Sequence, residues 1–415
     1  MILVVIISLL IFDFLLESYL DMKNRQYSNN PIPEELEGVY ENDKYKKQQE
    51  YFIAKNKFSF VLRFYGLVIM LLMFLFNGFG LVDGLSAVTC SHIESDVLRK
   101  IMTGLCFFGI LYYADDILNL PFSIYSVFKI EEKFGFNRTN AKTFVLDLLK
   151  NWLLTAIFGG ILLGLLMLVY YFTADFFALL GLAIVVAFSV FTMMFYSSVI
   201  VPLFNKQTPL QEGDLRTAIE ELCKKVDFKL DNLFVIDSSK RTSKANAYFS
   251  GLGTKKRIVL YDTLISSLST NEIVAVLSHE IGHYKRKHTR KMLIMNIIYF
   301  AIIFFLLSLF LNHQDYVAKS IGIENGSFWI SMVVFGVLFS PISSVMSIVI
   351  NVISRKNEYE ADSFAKECGN GEALISALKK LSSDSLSNLT PHPIYIFFKY
   401  SHPTLLQRIK AIRGK

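Results

Sequence analysis

Residues 151–174 read NWLLTAIFGGILLGLLMLVYYFTA and residues 176–205 read FFALLGLAIVVAFSVFTMMFYSSVIVPLFN, with Asp175 as the single charge between them. A helix that crosses the ~30 Å hydrocarbon core of a bilayer needs about 20 mostly apolar residues, so each run is long enough to span. Reading outward in both directions finds three more uncharged runs of that size, Phe64–Val82, Met292–Asn312 and Phe328–Ser354. Two weaker candidates complete the set. Met1–Leu20 is apolar apart from Asp13 and Glu17, and it lacks the basic start and small-residue cleavage site of a secretory signal, so it reads as a retained span. Ile101–Phe128 carries Asp115 and Asp116 in its middle. Carboxylates inside a membrane are costly and face a bundle interior or a water-filled cavity, so these two mark a polar chamber.

The basic residues fix an orientation. Lys and Arg collect on cytoplasmic flanks, and with seven spans 37 of the 42 bases fall in 21–58, 129–150, 206–290 and 355–415, all on one side, against three in the loops of the other. The N-terminus is therefore expected outside and both large polar segments in the cytosol. The composition agrees: 53% apolar and 19% charged residues exclude disorder and a disulfide-stapled miniprotein. Cys90, Cys106, Cys223 and Cys368 are scattered, with no CxxC pair and so no thiolate metal site. The net charge of +6 is loop charge facing anionic headgroups and gives no support to nucleic-acid binding.

Between the fifth and sixth spans, Leu215–Val226 has helical spacing and Asn232–Ile236 reads as a short strand. Asn246–Phe249 and Arg257–Tyr261 flank Ser250-Gly251-Leu252-Gly253-Thr254, a connection that suits a hairpin. Ser269-Thr270-Asn271-Glu272 then has the form of a capping box, with Ile273, Val276 and Leu277 following at helical spacing. On that helix lies His279-Glu280-Ile281-Gly282-His283. Imidazoles four apart stand one above the other on a helix face and can share one zinc ion, while the glutamate one step round can reach a water at the metal. Two histidines on a merely solvated face would leave the apolar stripe no reason to run into them.

A hydrolytic zinc site needs a third protein ligand and an open fourth position. Of the remaining histidines, His92 and His392 need no role, His313 falls outside the membrane on the far side, and His288 and His402 are left over. A carboxylate is the alternative. Just past the last span, Glu358 and Asp362 are four apart and share a helix face, while Glu360 points about 200° away from Glu358. One of the pair can bind metal and the other can fix a histidine tautomer; spacing does not say which.

These residues resemble the type I CAAX prenyl proteases, integral-membrane zinc endopeptidases of the gluzincin kind. The likeness spans nearly the whole chain. It rests on Glu131-Glu132-Lys133-Phe134-Gly135-Phe136-Asn137, on Asn246-Ala247-Tyr248-Phe249 with Lys256 to Leu264, on His279 to His283, on Glu358-Tyr359-Glu360-Ala361-Asp362, and on Ser401-His402-Pro403 with Leu405, Leu406 and Arg408. The resemblance implies that His279, His283 and Glu358 bind one Zn²⁺, that Glu280 is the general base and Asp362 supports a ligand, and that His402 and Arg408 sit beside the metal and the substrate carbonyl. It further implies that Asn246 and Ala247 lie on an edge strand where substrate backbone is laid, and that the helices enclose a water-filled chamber.

The expected fold is mostly α, a seven-helix multi-pass membrane protein with a small cytosolic α+β zincin-like metalloprotease domain. Its parts are a five-helix membrane region (1–205), the metalloprotease segment (206–290), the last two membrane helices (291–354) and a cytosolic segment completing the zinc site (355–415). The expected activity is removal of the C-terminal tripeptide from prenylated CAAX proteins. Expected partners are a prenylated or hydrophobic peptide and the bilayer, with the chain a monomer in the endoplasmic reticulum membrane of a eukaryote or the cytoplasmic membrane of a bacterium. A quality-control zinc endopeptidase is the nearest rival; a transporter with a structural zinc site would instead need a closed four-ligand site.

Overall fold

The structure, a computed structural model, describes residues 1–229, 232–250 and 257–414. The chain begins with α1 (Ile2–Tyr27), α2 (Asn42–Leu75), α3 (Gly78–Thr89) and α4 (Asp96–Tyr125). It continues with α5 (Ala141–Leu154), α6 (Gly160–Phe172), α7 (Phe177–Phe195) and α8 (Val201–Phe204). π-helical turns at Ser126–Glu131, Thr155–Gly159 and Tyr196–Ile200 make continuous rods of Asp96–Glu131, Ala141–Phe172 and Ala174–Phe204. With α1, α2 and the helix His288–Leu311, six helices among the described residues are long and apolar enough to cross a membrane, and the bent pair Phe328–Leu338 and Ser340–Glu367 makes a seventh when taken as one span. The protein is mostly helical and multi-pass.

Two spans differ in extent from the uncharged runs. The second was expected at Phe64–Val82, but α2 starts at Asn42 and stops at Leu75, and Asn77 takes a left-handed conformation (φ 55°) before α3 begins at Gly78. Asn-Gly is a helix stop that asparagine and glycine tolerate without the usual Cβ penalty, and a count of missing charges does not register it. The last run, Phe328–Ser354, is broken at Phe339 by a 57° bend, with Pro341 in the first turn of the second helix.

The polar segment after α8 forms β1 (Gln207–Pro209), α9 (Asp214–Lys225), β2 (Leu233–Ile236), β3 (Ala247–Ser250), β4 (Arg257–Tyr261), α10 (Asp262–Ser267) and α11 (Thr270–Lys285). The sheet order is β1-β2-β4-β3, with β2 and β4 parallel and the outer pairs antiparallel. The expected helix, strand, paired strands and helix are present; the hairpin connection itself falls outside the described residues. β1 and α10, three and six residues long, were too short to show a period. Next come α12 (His288–Leu311), α13 (Gln314–Ser320), α14 (Phe328–Leu338), α15 (Ser340–Glu367), α16 (Gly371–Asp384), α17 (Pro393–Lys399) and α18 (Leu405–Arg413).

Helix α11 is buried on two sides, and Glu272, Ser278 and His279 are buried along with its apolar residues. Ile273, Leu277 and Ile281 join Ile219, Ile258 and Leu260 beneath the sheet, while Ala275 packs with Ala365, Leu374, Ile375 and Ile409 on the opposite side. Each Ile or Leu so buried contributes about 1.5–3 kcal/mol. At its start Ser269 and Glu272 exchange capping bonds, and Glu272 also takes Lys380 and Ser376 of α16. The sheet is tied to the membrane helices at Glu131, which accepts from Tyr51 (2.8 Å) and Lys244 (2.9 Å), and by a bidentate Arg241–Asp147 pair.

Candidate metal centre and active site

His279 and His283 lie one turn apart on α11, with their Nε2 atoms 3.1 Å from each other. Helix α15 crosses α11 at Gly282, where an added Cβ would stand 3.1 Å from the Cα and carbonyl oxygen of Ala361. That close approach brings Glu358 in: its Oε2 lies 3.5 Å from His279 Nε2 and its Oε1 3.3 Å from His283 Nε2. Among the described residues these three form the cluster able to hold a metal ion.

The donor set fits a small tetrahedral cation. Bonds of about 2.0–2.1 Å at the tetrahedral angle put neighbouring ligand atoms roughly 3.3–3.4 Å apart, close to the 3.1 Å between the imidazole nitrogens and the 3.5 and 3.3 Å that separate each of them from one of the two Glu358 oxygens. Glu358 Oε2 is buried without a hydrogen-bond partner; its nearest ion-pair nitrogen beyond His279 is Arg408 Nη1 at 3.7 Å. The Arg408 charge offsets part of the cost of burying that oxygen, and a metal ion on the imidazole side would supply the direct partner it lacks.

Around the three donors stand further polar groups. Asp362, one turn beyond Glu358 on α15, places Oδ1 2.8 Å from His279 Nδ1, so the two carboxylates meet opposite nitrogens of that ring. Arg408 of α18 holds Asp362 in turn. Burial alone would lower the His279 pKa, but Asp362 and Glu358 outweigh it and raise it to about 9. Glu280 lies beside them with its carboxyl pKa raised by burial, partly opposed by the two histidines. His402 is largely exposed, with Nε2 3.4 Å from Glu358 Oε1 and Nδ1 2.9 Å from Ser401 Oγ.

Asn246 and Ala247 stand at the head of β3, the free edge beside β4. Asn246 gives its carbonyl to Tyr261 N–H at 3.1 Å, and the Ala247 N–H is taken by Asn246 Oδ1 at 2.9 Å. Phe249 of the same strand packs on Tyr284 of α11, ring centroids 5.6 Å apart, so the edge runs alongside the histidine helix.

Spacing gave no role to His288 or Glu360, yet both are at the site. His288 Nδ1 is 3.0 Å from His283 Nδ1, and its Nε2 is 3.0 Å from Glu360 Oε2. The one signal available was Glu360 itself, turned away from Glu358 and left without a partner by the helical wheel. Asp116 of α4 accepts from the indole of Trp152 in α5, while Asp115 holds Asn119.

Comparison with known proteins gives a consistent answer. A family described as CAAX prenyl protease N-terminal, five membrane helices, matches residues 21–206, and peptidase family M48 matches residues 209–415. The chain is 36% identical to CAAX prenyl protease 1 of Saccharomyces cerevisiae, covering 96% of this chain and 92% of that one. It is 34% identical to the CAAX prenyl protease 1 homolog of Arabidopsis thaliana, covering 99% and 97%. A crystal structure of S. mikatae Ste24p superposes with a TM-score of 0.92 at 35% identity, covering 99% of this chain and 98% of that chain. With the cluster on α11 and α15 and the membrane helices around it, the chain belongs to the CAAX prenyl protease family of M48 peptidases and is a multi-pass membrane metalloendopeptidase.

Proposed function

We propose that the metal is a single Zn²⁺ on His279, His283 and Glu358, and that the enzyme removes the C-terminal tripeptide of prenylated CAAX proteins. The observation that carries the metal reading is the placement of Glu358, whose Oε2 has no hydrogen bond and lies 3.5 Å from His279 Nε2 while its Oε1 lies 3.3 Å from His283 Nε2. His402 Nε2 comes within 3.4 Å of Glu358 Oε1 but does not join the two imidazoles in the cluster, which supports an open catalytic site over the closed one a structural zinc would need. The substrate reading rests on the relatives' names and on a membrane-embedded protein well placed to receive a lipid-bearing chain end.

When bound, the ion lowers the pKa of water toward neutrality and polarises the scissile carbonyl. Glu280 takes the proton from the attacking water and returns it to the leaving amine, a task suited to a carboxyl whose pKa burial has raised. His402 donates to the developing oxyanion, with the Arg408 charge behind it; one such donor is worth on the order of 10²-fold in rate. Asp362 holds His279 in the tautomer that leaves Nε2 free. The substrate lies extended along β3 at Asn246 and Ala247, where main-chain pairing tolerates varied side chains. Residues 206–290 and 355–415 together make the catalytic unit on the cytosolic face, the N-terminus lies outside, and the chain works as a monomer in the endoplasmic reticulum or cytoplasmic membrane.

The test compares a farnesylated CAAX peptide with its unmodified twin, with and without a chelator. Faster cleavage of the farnesylated peptide, abolished by chelation and restored by zinc, is the expected result. Equal turnover of both peptides would instead favour quality-control proteolysis.

A further inference from the structure

We infer that His288 and Glu360 form a positioning relay that fixes the tautomer and orientation of His283 from the side away from the metal. The inference rests on the metal-centre reading above and adds residues that reading does not use. His283 turns its Nε2 toward Glu358 and His279, so that nitrogen keeps its lone pair for the metal and the ring hydrogen is on Nδ1. Nδ1–H then donates to His288 Nδ1 at 3.0 Å, which can accept only if His288 carries its own hydrogen on Nε2. That Nε2–H donates to Glu360 Oε2 at 3.0 Å, and Lys291 Nζ stands 3.1 Å from the same oxygen. Every atom along the line has one role, and the direction of donation is set from the metal outward.

Two features show that this line is built into the fold. His288 is 3% exposed, so its ring nitrogens depend on protein partners. His283 and His288 are also five apart, which on an unbroken helix would place them about 140° round from each other. Lys287 between them takes a left-handed conformation, φ 59°, ending α11 and starting α12 so that the second ring returns onto the first. A non-glycine residue adopts that conformation at a cost, and it persists where the surroundings hold it. The two metal-binding imidazoles are thus supported differently: His279 meets its carboxylate directly, and His283 meets one through a second histidine.

The experiment is a competition titration of zinc between the detergent-solubilised full-length protein and a chromophoric chelator, with apo-protein melting temperature as a folding control. His288→Ala and His288→Leu are expected to weaken zinc binding by roughly 10- to 100-fold. His288→Asn, whose Oδ1 can accept from His283, should bind within a few fold of the parent. Glu360→Ala should weaken binding by itself yet add nothing in the His288→Ala background. Zinc affinity within twofold of the parent for the Ala and Leu variants, or additive losses in the double variant, would overturn the relay. If the alanine variant does not fold, equal affinities for the Asn and Leu variants would overturn it instead. A parent protein that binds no zinc would sink the metal-centre reading and the relay with it, a result distinct from either.

Discussion

Arg408 grips Asp362 through two parallel bonds, Nε to Oδ2 at 2.8 Å and Nη2 to Oδ1 at 2.6 Å, while the same Oδ1 meets His279 Nδ1 at 2.8 Å. The last helix thereby holds α15, and α15 holds the histidine helix. Arg408→Met leaves the Asp362 carboxylate buried with one partner fewer, and breaking a buried pair from one side typically costs about 3–5 kcal/mol. A lower apo melting temperature and weaker zinc binding are expected. Arg408→Lys keeps the charge but loses the parallel geometry and should fall between. Thermal unfolding and chelator competition read the two effects separately.

Replacing Glu280 by Gln should leave metal content and membrane insertion unchanged while peptide cleavage falls by about 10²- to 10⁴-fold, the usual worth of a positioned general base. The measurement is cleavage rate per zinc-loaded molecule. Cleavage within tenfold of the parent would remove Glu280 from the base role.

Gly282→Ala inserts a methyl group where the added atom would meet the backbone of Ala361 at 3.1 Å. Backbone cannot rotate away as a side-chain tip can, so α15 has to move outward and carry Glu358 with it. Overpacking of this kind costs typically 1–3 kcal/mol. The expected outcome is a lower melting temperature together with weaker zinc binding; a stable protein with unchanged affinity would mean that the two helices have slack at their crossing.

Glu272 gives a pH dependence with a definite sign. Burial would raise its pKa, but Lys380, Ser376 and the Ser269 cap outweigh that and hold the carboxyl at about 2, against an ordinary value of 4.5. The folded state therefore gains from this group fully above about pH 4.5 and loses that gain as the pH falls toward 2. Glu272→Gln keeps much of the cap but not the ion pair, so its melting temperature should drop less steeply than the parent's between pH 5 and pH 3. Parallel melting curves across that range would show that the Lys380 contact contributes nothing.

The spans were readable because a missing charge is a property of composition, counted without knowing any neighbour. Their ends were less so: the stop at Asn77-Gly78 and the bend at Phe339 depend on backbone conformation. At the site, the four-residue spacings put His279 with His283 and Glu358 with Asp362. Which carboxylate faces which nitrogen depends on how α15 crosses α11 at Gly282, and a helical wheel carries no crossing angle. Arg408 lies 46 residues beyond Asp362 and came into view through family resemblance alone. His288 had no signal beyond the unpaired Glu360, because Lys287 does not advertise a left-handed turn as glycine would.

Two of the metal-cluster residues precede α12 and the third lies on α15, the second helix of the bent pair, so two membrane crossings separate His283 from Glu358. During synthesis the histidines emerge first and have no carboxylate to meet until the sixth and seventh spans have both entered the bilayer. Insertion of both spans is therefore a precondition of completing the cluster. A chain arrested before its last span holds His279 and His283 but lacks Glu358, so its cluster is incomplete.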